Sequence, residues 1–284
     1  MKLPTHINPA VIDNVCATRW PILLVHGVGF KQAEKLRLWG RIPETLRAHG
    51  ARIFISDQDA WGSFESNALQ LRNAVNRILE DQQAEKINII AHSKGGIDAR
   101  VLASMPDMRD RIASITTISS PHHGSKSLNW VPFAPDLLKR LVSTVADTFL
   151  ILIGDDNPSF AFVCQSLSAS SMQEFNCLHP APDTIFMQSY SIVQKKLRTD
   201  PFFAPTVLVI RLIEGENDGL VTKNSAVFGN YQGEINESGS WGFSHVHIVD
   251  RSFLPWQYRN LNRDGFDVRA WWVELVSDLK NLGY

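Results

Sequence analysis

Short apolar, β-branched runs recur along the chain at Ile22–Val25, Arg52–Ile55, Ile87–Ile90, Ser114–Ile118 and Val207–Ile213, mostly separated by stretches with helical spacing. Strands alternating with helices predict an α/β architecture, a mostly parallel central sheet flanked by helices on both faces. The segment Ser66–Gln82 sets Leu71, Ala74, Val75, Ile78 and Leu79 on one face, with Ser63 placed to cap it. A last helix is predicted over Asp267–Leu282, where Val268, Trp271, Trp272, Leu275, Val276, Leu279 and Leu282 form a stripe and Gly283 a stop. Its two tryptophans are expected to pack in the core.

From Ser125 to Asp183 the alternation breaks. Leu137, Leu138, Leu141, Val142, Val145, Phe149 and Leu152 keep helical spacing, among residues rich in Ser, Pro and Asn. Two readings stand side by side: extra helices packed on the domain edge, or a helical lid over a binding site. The expectation is one domain over residues 1–284, with 125–183 as a lid or cap insertion.

At 284 residues and 44% hydrophobic, the chain can bury one large core. Lys and Arg number 28 against 29 for Asp and Glu, so no electrostatic case exists for nucleic acid or an anionic membrane surface. The longest apolar run, Phe149–Ile153, falls far short of the roughly 18 residues of a membrane span. Met1–Ala10 lacks the apolar core of a signal peptide, which points to a cytoplasmic protein, although a mature secreted form would start the same way. Cys16, Cys164 and Cys177 are too scattered for a disulfide framework or a metal knuckle; a single Cys164–Cys177 bridge remains open.

The strongest chemical signal is the strand Ile87–Ala91 running into His92-Ser93-Lys94-Gly95-Gly96 and then a helix to about Ser104. A sharp strand-to-helix turn crowds the positions two before and two after the serine, and both are small here, Ala91 and Gly95. Such a turn lifts a nucleophilic hydroxyl above the sheet, with a helix N-terminus beneath it. The strand ending at Val25 leads into His26-Gly27-Val28-Gly29-Phe30, whose glycines expose backbone N–H groups. Val28 and Lys94 are the expected oxyanion donors, while His26 is read as structural.

On this layout a general base follows late in the chain, and His245 and His247 are the two histidines beyond the last predicted strand. The acid should precede it. Asp218, just after the run Val207–Ile213 and 27 residues ahead of His245, leads; Glu214 and Glu216 are its rivals. The His-x-His pair lacks the further ligands of a zinc shell.

In these residues the chain resembles the bacterial triacylglycerol lipase family, the Pseudomonas and Staphylococcus lipases and their smaller clostridial relatives. The blocks LLVHGVGF, WGRIPETLRAHGA, DAWGSFESNA, INIIAHSKGGIDAR, ITTISSPHHGS, GENDGLV and SHVHIVD match in order, from Pro21 to Asp250, with 126–204 only loosely matched. The resemblance implies an α/β-hydrolase fold, Ser93 as nucleophile, Asp218 as acid, His245 rather than His247 as base, and Val28 and Lys94 as oxyanion donors. It implies a serine ester hydrolase acting on acyl esters, triacylglycerols among them, with an ester or lipid as partner and room for transient contact with a lipid interface. An acyltransferase or thioesterase with the same triad, or a binding module with a silent triad, are the alternatives. One position departs: many of these lipases carry a calcium-binding carboxylate two residues after the catalytic histidine, where this chain has His247. Some thermophilic relatives hold zinc through histidines absent here from 57–69. The expectation is no metal and no cofactor.

Overall fold

The computed structural model describes residues 13–28, 38–59, 61–130, 165–252 and 265–284. Six strands, β1 (Ile22–Val25), β2 (Ile53–Ile55), β3 (Ile87–His92), β4 (Ile112–Ile118), β5 (Phe186–Ser191) and β6 (Asn230–Glu234), form one sheet in the order β2-β1-β3-β4-β5-β6. Every neighbouring pair is parallel. This is the α/β architecture with a parallel sheet that the alternation predicts, in the α/β-hydrolase arrangement that the resemblance implies. The helices are α1 (Ile42–Ala48), α2 (Phe64–Asp81), α3 (Lys94–Ser104), α4 (Lys126–Trp130), α5 (Ala169–Leu178), α6 (Ala204–Ile213) and α7 (Val268–Asn281).

The central strands read as continuous apolar runs because both of their faces are covered. Leu23, Val25, Ile87, Ile89 and Ala91 pack beneath α2 and α3, whereas Ile22, Leu24 and Ile90 pack against α1 and α7. The predicted helix around Ser66–Gln82 is α2, and Ser63 caps it by accepting the Ser66 N–H at 3.2 Å. The predicted last helix is α7, capped by Asp267 and followed by Gly283 at φ 90°. Trp272 is fully buried against Trp39, as packing predicted, and also donates its indole N–H to the Ile248 carbonyl at 2.7 Å.

One expected strand is a helix. Val207–Ile213 lies in α6, where Pro205 occupies the first turn and Thr206, Val207 and Ile210 face inward while Leu208 and Leu212 face outward. Its β-branched run is the kind that period alone cannot assign, and the inward set settles on helical spacing. The sheet is completed instead by β5 and β6, which the apolar pattern did not announce. β5 buries Gln188, Ser189 and Ser191, and Gln188 Nε2 donates to Thr116 Oγ1 at 2.9 Å. Of the expected insertion, residues 131–164 lie outside the described residues, and with them the stripe Leu137–Leu152 and Cys164. From its far end, Met172 and Phe175 of α5 join the core under the sheet. Cys177 is an exposed free thiol and Cys16 a buried one.

The chain leaves β1 toward β2 and returns on the other side as β3, so the strand order reverses between β1 and β3. In an open parallel sheet, ligands bind at the carboxyl ends of strands at such a switch point. The loops after β1 and β3 are therefore the place to look for chemistry.

Candidate active site

Ser93 stands between β3 and α3 at φ 57°, ψ −136°, a backbone region that costs an L residue about 1–3 kcal/mol. Its N–H donates to the Ile118 carbonyl at 3.1 Å, so the strained turn is tied to the end of β4. Tight approach explains the glycines around it. A Cβ on Gly27 would lie 2.6 Å from Ser93 Cβ and 2.9 Å from its Oγ, and one on Gly95 would overlap the carbonyls of Val25 and His26. The loop after β1 thus passes directly across the serine, held there by Gln58, whose Nε2 donates to the His26 carbonyl at 2.8 Å. Gly27→Ala is expected to slow labelling of the serine by a fluorophosphonate about 100-fold while leaving the far-ultraviolet circular dichroism unchanged.

Of the sequence candidates, His245 and Asp218 meet directly. His245 N–H donates to the Asp218 carbonyl at 2.9 Å, and His245 Nδ1 lies 2.6 Å from Asp218 Oδ2. With Nδ1–H given to the carboxylate, Nε2 is the ring atom able to accept a proton. The other end of the arrangement is joined through His92, the residue before Ser93: its Nε2 meets the His245 carbonyl at 2.9 Å and the two rings are 4.5 Å apart. Burial first, then the nearby His245, pushes the His92 pKa down to about 3, so it is a neutral donor. Lys94 opens α3 directly after Ser93, and Val28 follows the glycine pressed against it.

Asp218 is fully buried. Burial pushes its carboxyl up, but the charge of His245 and the hydrogen bonds from His245, Ser119 and Val221 outweigh it and hold the pKa below the ordinary carboxylate value. Oδ1 accepts the N–H groups of Leu220 at 2.9 Å and Val221 at 2.8 Å, and Oδ2 accepts Ser119 Oγ–H as well as His245. The rivals take other places: Glu214 accepts Ser125 Oγ–H and Ser127 N–H, each at 2.6 Å, and Glu216 is exposed 3.9 Å from Lys223. Ser119 and His92 are the contributors that sequence reasoning missed. Ser119, at φ 49° just beyond β4, lies inside the block ITTISSPHHGS with no role attached to it, and His92 reads as a neighbour of the serine until its reach to His245 is seen.

Beneath the serine lies a buried pair. Lys94 Nζ donates to Asp98 Oδ1 at 2.9 Å and Oδ2 at 3.1 Å, Asn67 Nδ2 donates to Oδ2 at 2.9 Å, and the ammonium sits 5.3 Å from the Phe64 ring centre. Burial raises the Asp98 carboxyl to about 6 against the pull of Lys94. Asp98→Asn would strand a buried ammonium and is expected to destabilise the fold by about 3–5 kcal/mol, whereas Lys94→Met with Asp98→Leu recovers most of that, read from urea unfolding.

Among the described residues no group of three or more His, Cys, Asp or Glu is arranged to hold a metal ion. The locus at which the resembling lipases would hold calcium does not fit it. Asp200 there is ringed by donors, Ser244 Oγ at 2.7 Å, Phe202 N at 3.1 Å and His247 Nε2 at 3.3 Å, whereas calcium needs six to eight oxygens. Nor is any helix among the described residues long and apolar enough to cross a membrane.

Residues 21–161 match the family model for palmitoyl protein thioesterase. The chain is 34% identical over 158 residues to a triacylglycerol lipase of Burkholderia plantarii, covering 52% of this chain and 43% of that one. It is 28% identical over 262 residues to triacylglycerol lipase 2 of Saccharomyces cerevisiae, covering 88% and 75%. The chain spans less than half the length of the bacterial relatives it matches from Burkholderia plantarii and Pseudarthrobacter phenanthrenivorans. Among solved structures, a metagenomic carboxyl esterase superposes with a TM-score of 0.69 at 18% identity, covering 92% of this chain and 76% of that one. The mature form of a Bacillus licheniformis lipase does so with 0.60 at 20%, covering 92% and 96%.

Proposed function

We propose that this chain, which belongs with the lipases of the α/β-hydrolase type, hydrolyses carboxylic esters through an acyl-enzyme formed on Ser93. Ser93 Oγ attacks the ester carbonyl while His245 Nε2 takes its proton. The N–H groups of Val28 and Lys94 stabilise the oxyanion, and the protonated His245 then gives its proton to the departing alkoxide. Water enters by the same route, loses its proton to His245 and releases the acid. The observation that carries this reading is the His245 ring fixed by Asp218 through Nδ1, with its carbonyl held by the residue beside a strained serine. No step needs a metal or cofactor.

Names of the relatives favour acyl esters of lipids, triacylglycerols among them. The thioesterase family match supports a second reading in which the same serine opens an acyl thioester. Hydrolysis of matched p-nitrophenyl esters from acetate to palmitate, beside palmitoyl thioesters, separates the two. Ester turnover with fluorophosphonate labelling confined to Ser93 is the expected result; a folded protein that neither turns over nor labels would sink the enzymatic reading.

A further inference from the structure

His245 sits in a loop whose residues before and after it do something other than catalysis. Ser244 Oγ–H donates to Asp200 Oδ2 at 2.7 Å, and His247 Nε2 lies 3.3 Å from the same oxygen, close but not aligned as a hydrogen bond. The Ser244 N–H points at His247 Nδ1 at 3.4 Å, which makes Nδ1 the acceptor and leaves the ring proton on Nε2, facing the carboxylate. Asp200 itself is fully buried, so its charge is expensive unless each oxygen is satisfied. Phe202 N–H satisfies Oδ1 at 3.1 Å, and the Asp200 carbonyl accepts Gln194 Nε2 at 3.0 Å. Gln194 in turn donates its N–H to the Asn217 carbonyl at 2.8 Å, one residue from Asp218. One buried residue is therefore connected through its carboxylate to Ser244 and His247, on either side of the base, and through its backbone carbonyl and Gln194 to the residue beside the acid.

We infer that Asp200, Ser244 and His247 form a positioning clamp that sets the His245 ring against Asp218 and Ser93, a buried carboxylate met by a hydroxyl and an imidazole at the place where the resembling lipases would use a cation. None of the three touches the reacting atoms. Their effect is on where the imidazole stands, and an imidazole displaced by about 1 Å can lower a rate on the order of 100-fold.

The inference rests on the Ser93–His245 reading, and its test keeps the two apart. Asp200→Asn, His247→Leu and His247→Gln are assayed on a soluble p-nitrophenyl ester with kcat and KM resolved, alongside labelling rate, thermal unfolding and activity after treatment with EDTA. Asp200→Asn and His247→Leu are expected to lose about 10–100-fold in kcat with KM within about twofold, in the fraction that remains folded. His247→Gln, whose amide can donate to Asp200 and accept from Ser244, should recover most of the loss, and EDTA should leave the parent activity intact. Ser244→Ala, which removes one hydroxyl and leaves no bare charge, gives the same kcat-only signature on a smaller scale if a larger change prevents folding. Parent-like kcat in these variants while Ser93→Ala is inactive overturns the clamp alone. So does a loss that follows only the unfolded fraction, or activity that EDTA abolishes and calcium restores. An active Ser93→Ala overturns the reading beneath it.

Discussion

Replacing Ser93 by alanine is expected to bring ester turnover down to the level of a protein-free control, a fall of about 10⁴-fold or more, and to abolish fluorophosphonate labelling. The size follows from the loss of the attacking atom, since among the described residues no other hydroxyl stands on the same turn, pressed by Gly27 on one side and tied to β4 by its N–H. Alanine also has a Cβ, so it inherits the strain at φ 57° without adding to it. The fold should therefore survive, and the unfolding midpoint of the variant should match or slightly exceed that of the parent. Equal turnover by the alanine variant and the parent would remove Ser93 from the mechanism.

How far such a site can be read from sequence depends on what kind of physics places each residue. The elbow was legible because sterics impose it: only small side chains fit where Ala91 and Gly95 stand, and a buried strand must precede them. The helices α2 and α7 were legible because their caps and apolar stripes agree. The segment Val207–Ile213 was misread because a continuous β-branched run satisfies both a buried strand and a helix, and only the inward choice of Val207 and Ile210 decides between them. The strand β5 was invisible for the opposite reason: apart from Met187 its buried positions are polar, and Gln188 and Ser191 are satisfied by cross-strand side-chain bonds that no hydropathy pattern records. Ser119 and Asp200 act through contacts that span 99 and 44 residues, and neither position has a local signature. Asp218 nevertheless emerged despite the misread element before it. Its Asn-Asp-Gly turn has the same sequence whichever element precedes it, and the turn is built by Asp218 Oδ1 accepting two N–H groups and by Asn217 Oδ1 accepting the Gly219 N–H at 2.9 Å.

Those turn bonds determine what Asp218→Asn should do. Oδ1 is committed to the N–H groups of Leu220 and Val221, so an asparagine there keeps its carbonyl oxygen toward them and turns its NH₂ toward Ser119 and His245. Ser119 can rotate its hydroxyl to accept. His245 cannot satisfy a donor except by moving its own proton from Nδ1 to Nε2, and an Nε2 that carries a proton cannot take one from Ser93. The expected result is a fall in kcat of about 10⁴-fold with substrate binding retained, while the backbone of the turn stays in place. Acid stability should change as well, with a sign that can be worked out. The folded-state pKa of Asp218 lies below the ordinary value of 3.8, so its contribution is present above that value and disappears as the pH falls through the lowered one. The parent should therefore lose stability more steeply on acidification than the asparagine variant, in urea unfolding from pH 6 to the lowest pH at which the protein remains folded. A variant that keeps parent-like kcat would mean that the proton on Nδ1 is not set by this carboxylate, and His245 would lose its claim to be the base.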